Sequence, residues 1–218
     1  MIYNYVNFIV ATDNKGGIGK DGTIPWYISD ELKYFQNITS DNVVIMGSKT
    51  FYSIPEKHRP LKKRLNLVLT NNKELLKNNH EHQNLKFFNF ENPMKDNIIH
   101  IDNYVDYYSL IKLSSIVNNN IKYKNSEIFI IGGEKIYELF YNMLNNSVKY
   151  MDLKLNKIYL THIEKNYKCD TFFPKLTENF KLLKYSEKNY DKKEKVYYRF
   201  LEYEKEILYK NNYEKKYL

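Results

Sequence analysis

Cysteine and arginine are scarce in this chain of 218 residues, which holds one Cys and only three Arg. A single cysteine excludes an intramolecular disulfide, so a reducing, cytoplasmic setting is expected. No apolar run approaches the roughly 18 residues that a membrane-spanning helix needs. Met1–Ala11 lacks the charged start and the small-residue cleavage site of a signal peptide. The five histidines have no metal-ligand spacing, so no metal site is predicted.

What is present suits a globular chain that buries a core. Hydrophobic residues make up 43% and aromatic residues 16% of the sequence, which argues against disorder. The net charge of +8 suggests anionic partners, either nucleic acid or acidic small molecules. An AT-rich coding sequence would enrich lysine without functional meaning. Because lysine is the default cation here, the arginines are more informative, namely Arg59, Arg64 and Arg199.

Apolar runs alternate with helical patterns, which predicts an α/β fold with a mostly parallel sheet covered on both faces. Strands are predicted over 5–11, 42–46, 64–70, 98–101, 127–131, 157–163, 180–186 and 196–204, the last two as a hairpin. Helices are predicted from an N-cap at Ser29 to Thr39, and over 47–53, 105–117 and 134–144. Polar stretches over 71–97, 114–126 and 142–156 are interpreted as surface excursions.

An acid interrupts the apolar stripe of the first predicted helix. The face that carries Glu31 is otherwise apolar, with Ile28, Leu32, Phe35 and Ile38. A buried acid needs a partner or a function, whereas an ordinary first-turn acid would serve helix N–H groups. Burial would raise its pKa and the helix N-terminus would lower it, and the sequence leaves both open. Thr161, on an apolar strand, would likewise need a partner such as a carboxylate.

Two predicted strands end in small residues that open helices. These segments are Gly47–Thr50 (GSKT) and Ile131–Lys135 (IGGEK). Glycine lets a backbone approach a ligand closely, and a helix N-terminus can hold a phosphate. Neither segment has P-loop or GxGxxG spacing, so a tight strand-to-helix turn is the alternative.

Collinear fragments from Tyr5 to about Glu204 resemble the dihydrofolate reductase family. They read FIVATDNKGGIGKDGTIPW, DELKYFQ, VVIMGSKTFYSIP, RPLKKRLNLVLT, IFIIGGEKIY, YLTHI and CDTFFP. The resemblance implies a doubly wound, mostly parallel eight-stranded sheet with four main helices on both faces and an antiparallel C-terminal strand. It further implies one domain over 1–204 that acts as a monomer, followed by a tail of unassigned role over 205–218.

The implied activity is NADPH-dependent reduction of 7,8-dihydrofolate to 5,6,7,8-tetrahydrofolate, inhibited by antifolates. Hydride goes to C6 and a proton to N5, in support of one-carbon and thymidylate metabolism. By the same resemblance, Glu31 binds the 2-amino group and N3 of the pterin and helps deliver the proton through water. Thr161 supports that acid, Trp26 orders a water, and Ile24 ends the mobile loop Lys15–Ile24 that closes over the nicotinamide.

The remaining ligand contacts also follow from the resemblance. Arg64 holds the α-carboxylate of the substrate's glutamate tail. Other substrate contacts fall on Val10, Ala11, Leu32, Phe35, Ile54, Leu61 and Ile131. Cofactor contacts fall on Ala11, Ile18, Gly19, Gly47, Ser48, Lys49, Thr50, Leu69, Thr70, Asn71, Gly132, Gly133, Glu134, Lys135, Ile136 and Tyr137. A cis peptide is implied between Gly132 and Gly133.

The chain departs from the family pattern at the 2′-phosphate. Asn71 stands where an Arg often grips that phosphate, and a second basic position near Asn103 is also lost. Lys49 or Lys73 could compensate, because a point charge suffices for a phosphate.

Three alternatives stay open at this point. A reductase of riboflavin precursors shares the fold, although the pterin acid, Trp26 and Arg64 disfavour it. A non-catalytic RNA-binding module would use the charge of +8, but the lysines are dispersed and no RNA-recognition signature is present. A domain from a reductase–thymidylate synthase fusion is the third, although nothing after Glu204 resembles a synthase.

Overall fold

The computed structural model describes residues 4–72, 85–88, 115, 117–119, 122–123, 126–146 and 153–206. The helices bounded within these residues are α1 (Ser29–Thr39), α2 (Ser48–Ser53) and α3 (Glu134–Asn146), with a short 3-10 turn at Glu56–His58. The strands are β1 (Asn4–Thr12), β2 (Gly17–Gly19), β3 (Val43–Gly47), β4 (Leu65–Leu69), β5 (Leu85–Phe88), β6 (Ile128–Ile130), β7 (Leu153–Ile163), β8 (Thr171–Phe172), β9 (Phe180–Tyr185), β10 (Asn189–Asp191) and β11 (Val196–Lys205).

One large sheet forms the body of the molecule. Its strand order is β10-β11-β7-β1-β6-β3-β4-β5, with β9 also paired to β11, while β2 and β8 form a separate two-stranded sheet. All pairs from β7 to β5 are parallel, and β11 runs antiparallel to β7, β9 and β10. The predicted fold class and the C-terminal hairpin are therefore confirmed. Within the described residues β9 and β10 pair with different parts of β11, so nine strands are counted when β9 is added to the eight of the main order.

Strand residues alternate between two apolar clusters, one on each face of the sheet. Phe8, Ile45 and Ile130 belong to the cluster that α3 covers. Ile9, Met46 and Phe129 belong to the cluster against which α1 and α2 pack through Phe35 and Phe51. Because parallel strands are buried on both faces, they read as continuous apolar runs such as VVIM and IFI.

Helix α1 differs in detail from its prediction. Ile28 is the N-cap residue rather than Ser29, and no side chain caps the helix. The predicted stripe is also more open than expected, because Leu32 is 43% exposed and Glu31 and Phe35 are only half-buried. An accessible apolar stripe beside a sheet is what a ligand-binding cleft offers.

Two of the predicted surface excursions contribute to the core. β5 lies inside the stretch 71–97, with Leu85 only 8% exposed. Val117 and Tyr123, in the stretch 114–126, are also buried. The third stretch, 142–156, is shortened at both ends by α3 and β7. The predictions of surface excursions over 71–97 and 114–126 were therefore wrong in part, because polar neighbours in the sequence weaken the apolar signal of short buried elements.

Other predictions lie partly or wholly beyond the described residues. The strand over 98–101 and nearly all of the helix over 105–117 fall there, as do Lys73, Asn103 and residues 207–218. β11 ends at Lys205, one residue past the predicted domain boundary. No helix of the described residues is long and apolar enough to cross a membrane.

Candidate active site

The carboxyl ends of the central strands meet at one edge of the sheet. β6 lies between β1 and β3, where the Ile131 N–H donates to the Ile45 carbonyl at 2.9 Å and the Gly47 N–H donates to the Gly132 carbonyl at 2.9 Å. α2 begins directly after β3, and α3 begins four residues after β6. Ligands of such sheets bind at this edge.

Glu31 is an unpaired acid near this edge. Burial raises its pKa to about 7, and no hydrogen bond or ion pair to a described residue offsets that cost. Tyr137 of α3 is deeply buried, and its pKa is raised first by burial and then by the charge of Glu31. The Tyr137 hydroxyl donates to the Ile9 carbonyl of β1 at 2.7 Å. Glu31 is therefore electrostatically coupled to Tyr137, and burial decides the direction of the Glu31 pKa.

Thr161, which lies on β7, and Trp26 are both buried. Thr161 is 2% exposed and pairs in register with Ala11 of β1 and Phe200 of β11. Trp26 is 7% exposed and packs with Ile28, and its indole Nε1 has no hydrogen-bond partner among the described residues. No described hydrogen bond joins Thr161 to Glu31, so the predicted support of the acid is not a direct bond in this structure.

Arg64 is a buried cation held by neutral groups. It is 6% exposed, and its Nε donates to the Lys62 carbonyl at 2.9 Å and its Nη1 to Thr39 Oγ1 at 3.0 Å. Burial lowers its pKa, and its guanidinium lies 5.7 Å from the ring centroid of Phe35. No acid of the described chain pairs with it. A fixed guanidinium without an anion suits a ligand carboxylate.

Four of the apolar residues predicted to contact substrate lie together. The partly buried residues packed on the α1 side of the sheet include Phe35, Ile54, Leu61 and Ile131. Val10 is buried on the opposite face, and Ala11 packs with Trp26. Thr39, whose hydroxyl accepts the hydrogen bond that orients Arg64, was not predicted from the sequence. A Thr at the end of a helix gives no sign of a distant arginine partner.

The two small-residue turns approach each other. The peptide between Gly132 and Gly133 is cis, and Gly132 has a φ of +105°, where a Cβ would lie 2.8 Å from Tyr137 Cε2. A Cβ on Gly133 would lie 3.2 Å from Thr50 Oγ1. The GSKT and IGGEK segments therefore form one surface at which only glycine leaves room for a close backbone approach. Lys49 and Asn71 are exposed, and Thr70 is buried.

The structure gives the surroundings of three residues predicted to contact the cofactor or to lie on the loop. Glu134 Oε1 accepts the Phe172 N–H at 2.7 Å and so links α3 to β8. The Tyr137 ring packs in the core, 4.9 Å from the Phe173 ring centroid. Ile24 is 64% exposed.

Asp13 fastens the glycine-rich loop that follows β1. It is 1% exposed, and its Oδ1 accepts the N–H groups of Lys15 and Gly17 at 2.8 and 2.9 Å, while Oδ2 accepts the Tyr167 N–H at 3.0 Å. Burial would raise its pKa, but these bonds and one from the Cys169 thiol outweigh it, so the pKa lies below its usual value. Asp13 was not predicted as an anchoring residue, although an Asp shortly before glycines is a turn signal.

The loop predicted to be mobile is bonded along its length to the segment 165–173. β2 pairs with β8, the Phe173 N–H donates to the Gly16 carbonyl at 2.9 Å, and the Asp21 N–H donates to Asp170 Oδ2 at 2.8 Å. A cavity of about 290 Å³ lies beside this junction, and none of the predicted site residues lines it. Its lining residues are Asp13, Lys15, Asn166, Lys168, Cys169 and Phe172.

The geometry defines a class of protein. Glu31, an acid that titrates near neutral pH, lies near the edge formed by the carboxyl ends of the central strands. The glycine surface formed by GSKT and IGGEK, which suits a phosphate, lies at the same edge. This combination suits an oxidoreductase that protonates a small molecule beside a nucleotide cofactor.

Comparison with known proteins identifies the family. The dihydrofolate reductase family profile matches residues 5–205. The viral dihydrofolate reductase of Saimiriine herpesvirus 2 is 35% identical over 82% of this chain and 73% of its own. The dihydrofolate reductase of Gallus gallus is 33% identical over 93% and 97%, and that of Sus scrofa 33% over 82% and 84%. The chain belongs to the dihydrofolate reductase family, nicotinamide-dependent oxidoreductases that reduce dihydrofolate to tetrahydrofolate.

Proposed function

We propose that this chain reduces 7,8-dihydrofolate with NADPH and that Glu31 is its acid. The observation that carries this is a half-buried carboxyl without a described charge partner, whose pKa burial raises to about 7. Such a group exchanges its proton near neutral pH, as a general acid must. When charged, it accepts hydrogen bonds from two donors in a fork, which matches the 2-amino and N3 edge of a pterin.

The proton path uses buried polar groups near Glu31. N5 of the pterin receives its proton from Glu31 through a water. Trp26 Nε1, a buried donor without a described partner, supports a role in orienting that water. The Thr161 hydroxyl, 2% exposed on β7, offers a second polar contact in otherwise apolar surroundings. Both side chains orient the proton donor rather than bind the reacting carbon.

The rest of the substrate suits the α1 side of the sheet. Phe35, Ile54 and Leu61 supply an apolar surface for the aminobenzoyl ring, and exposed Leu32 extends it. Arg64, already oriented by Thr39 and Lys62, offers to the α-carboxylate of the glutamate tail its Nη2 edge, which bonds to none of the described residues. The proposed substrate surface thus has polar groups at both ends and apolar side chains between them, as the substrate does.

The glycine surface at Gly133 supports the proposal of NADPH as the cofactor. When bound, NADPH supplies the hydride that C6 accepts. Gly133 beside Thr50 leaves a cradle that a Cβ would fill, and the residues that would hold the phosphates there are Ser48, Lys49, Thr50 and Gly133. Ala11, Ile18 and Gly19 would contact the nicotinamide. Exposed Lys49 is the described cation proposed for the 2′-phosphate, because Asn71 carries no charge.

An assay that offers NADPH and NADH in parallel tests the proposal. We expect dihydrofolate-dependent oxidation of NADPH with a lower KM than for NADH. Lys49→Ala should raise the KM for NADPH more than the KM for NADH, since only NADPH carries the 2′-phosphate. Absence of oxidation with either cofactor would contradict the proposed reaction, and equal KM values would contradict the cofactor preference.

A further inference from the structure

The turn over 192–195, between β10 and β11, is bonded to the segment that carries Trp26. Glu194 Oε1 accepts the Tyr27 N–H at 3.1 Å, and Glu194 Oε2 accepts the Tyr167 hydroxyl at 3.3 Å. The two bonds span 167 and 27 residues of sequence. One carboxylate near the end of the chain therefore ties together two distant segments that meet at Trp26.

The Trp26 indole packs against side chains from the same two parts of the chain. The ring centroids of Trp26 and Tyr167 are 5.1 Å apart, with an angle of 58° between the ring planes. Val196, the first residue of β11, is 3% exposed and belongs to the same apolar cluster as Trp26. Because Tyr27 directly follows Trp26, a bond that fixes the Tyr27 N–H also fixes the peptide that leaves Trp26.

The turn that carries Glu194 is itself well ordered by hydrogen bonds. Asp191 Oδ1 accepts the N–H groups of Lys193 and Glu194 at 2.9 and 2.7 Å. Lys193 Nζ lies 4.7 Å from the ring centroid of Tyr27, which is a cation–π distance. A carboxylate on such a turn is held in place before it meets its partners, as a group that orients a functional side chain must be.

Tyr167 keeps its backbone position independently of Glu194. Its N–H donates to Asp13 Oδ2 at 3.0 Å, the acid that fastens the glycine-rich loop. Burial first, and then the charge of Glu194, raise the pKa of Tyr167 to about 12, so its hydroxyl remains a donor at neutral pH. Loss of the Glu194 carboxylate would thus release the Tyr167 ring and the Tyr27 peptide without releasing the loop.

We propose that Glu194 is a positioning residue for Trp26, and that its two hydrogen bonds hold the indole Nε1 in the orientation that directs the proton-carrying water to the substrate. The proposal rests on the proposed function, in which Trp26 orients that water and Glu31 supplies the proton. Glu194 acts through Tyr27 and Tyr167 rather than on the ligand. Its effect on the reaction follows because proton transfer through a water requires hydrogen-bond distance and alignment.

Three variants separate this role from a general contribution to stability. Glu194→Ala removes both hydrogen bonds, whereas Glu194→Gln keeps an oxygen for the Tyr27 N–H and an amide that bonds to the Tyr167 hydroxyl. Tyr167→Phe keeps the ring beside Trp26 and removes only its hydroxyl, so it tests the link even if Glu194→Ala does not fold. Glu187→Ala is the matched control, because Glu187 is an exposed glutamate of the same hairpin, between β9 and β10.

Trp26 is the only tryptophan of the chain, so its fluorescence reports on this site directly. Time-resolved fluorescence anisotropy measures the local motion of the indole in the ligand-free protein and needs no turnover. We expect Glu194→Ala to increase the amplitude of the fast motion and Tyr167→Phe to increase it less. Glu194→Gln and Glu187→Ala should leave it unchanged.

Steady-state kinetics supply the second readout. We expect kcat to fall about fivefold in Glu194→Ala and about twofold in Tyr167→Phe, with the KM for NADPH unaltered, since oriented hydrogen bonds are lost and no ligand contact is. Glu194→Gln should restore kcat, and Glu187→Ala should not change it.

Unchanged indole motion in both Glu194→Ala and Tyr167→Phe would overturn the proposal. A Glu194→Gln variant that behaves like Glu194→Ala would also overturn it, because its hydrogen bonds are kept. Increased indole motion with unchanged kcat would instead contradict the role of Trp26 in the proposed function and leave its positioning by Glu194 supported.

Discussion

Two acids of the described chain, Asp13 and Glu31, have contrasting surroundings. Asp13, at the start of the glycine-rich loop, accepts three backbone N–H bonds and one thiol bond, and its pKa lies below its usual value although burial acts against this. Glu31, on α1, accepts none from the described residues, and burial raises its pKa to about 7. The protein satisfies one carboxylate fully and leaves the other with its hydrogen-bonding capacity unused.

The difference separates a fastening role from a chemical one. A fully bonded carboxylate stabilises the fold in its charged form and has little capacity left for a ligand. An unsatisfied, desolvated carboxyl costs stability and gains its partners when a ligand with matching donors binds. We therefore assign Asp13 to loop anchoring and Glu31 to substrate.

The largest expected effect is on turnover. Glu31→Gln keeps the shape of the side chain but removes the titrating proton, so kcat at pH 7 should fall at least about a hundredfold. Asp30→Asn is the matched control, because Asp30 is an exposed acid next to Glu31 that pairs with Lys33. Steady-state kinetics on both variants measure this. Unchanged turnover in Glu31→Gln would contradict the assigned proton role.

Loss of the fastening acid should destabilise the fold. Asp13→Ala leaves three N–H groups without their acceptor, at a cost of about 3 kcal/mol in the free energy of unfolding. Because its pKa is lowered, this stabilisation is present above the ordinary Asp value of 3.8 and is lost as pH falls through the lower folded value.

Urea unfolding at pH 7 and near pH 3 checks both statements. Asp170→Ala is the control, since Asp170 Oδ2 accepts one exposed N–H and its loss should cost under about 1 kcal/mol. Equal losses in the two variants would show that Asp13 has no special anchoring role.

Removal of the Glu31 carboxylate should stabilise the ligand-free protein, whereas removal of Asp13 should destabilise it. Because the pKa of Glu31 is raised in the folded state, its charged form lowers the free energy of unfolding. This destabilisation grows from about pH 4.5 to about pH 7 and is constant above that. Glu31→Gln should therefore raise the ligand-free unfolding free energy by about 1–3 kcal/mol at pH 8. The gain should vanish at pH 4. Thermal melts at the two pH values measure it, and a loss of stability at pH 8 would reverse the comparison.

The smallest expected effect extends the comparison to a cation. Arg64→Lys loses the planar fork, so the KM for dihydrofolate should rise about tenfold with kcat nearly unchanged. Arg199→Lys, at a half-exposed site near Glu164, should leave both constants unaltered. A fall in kcat without a change in KM would move Arg64 from tail binding to the chemical step.

Much of the sheet could be predicted from the sequence because its central strands are buried on both faces. The runs VVIM and IFI are typical of such strands, and β3 and β6 were predicted to within one residue at each end. β2 and β8 were missed because strands of three and two residues carry no periodic signal. β5 was missed because it has only four residues and the sequence on either side of it is polar, so its apolar signal is weak.

The candidate site could be predicted where residue type alone carries the chemistry. Glu31 on an apolar stripe and Arg64 among lysines both stood out in the sequence. The direction of the Glu31 pKa required the structure, because burial and the helix end oppose each other. The link from Asp13 to Tyr167 spans 154 residues of sequence, and no local pattern encodes it.

The central claim is that Glu31 carries a proton near neutral pH. Carbon-13 NMR of the side-chain carboxyl groups, with Glu31→Gln to assign the signal, measures that titration in the ligand-free protein. We predict a midpoint at about pH 7 for this one glutamate. A midpoint near 4.5, the ordinary value for glutamate, would contradict it.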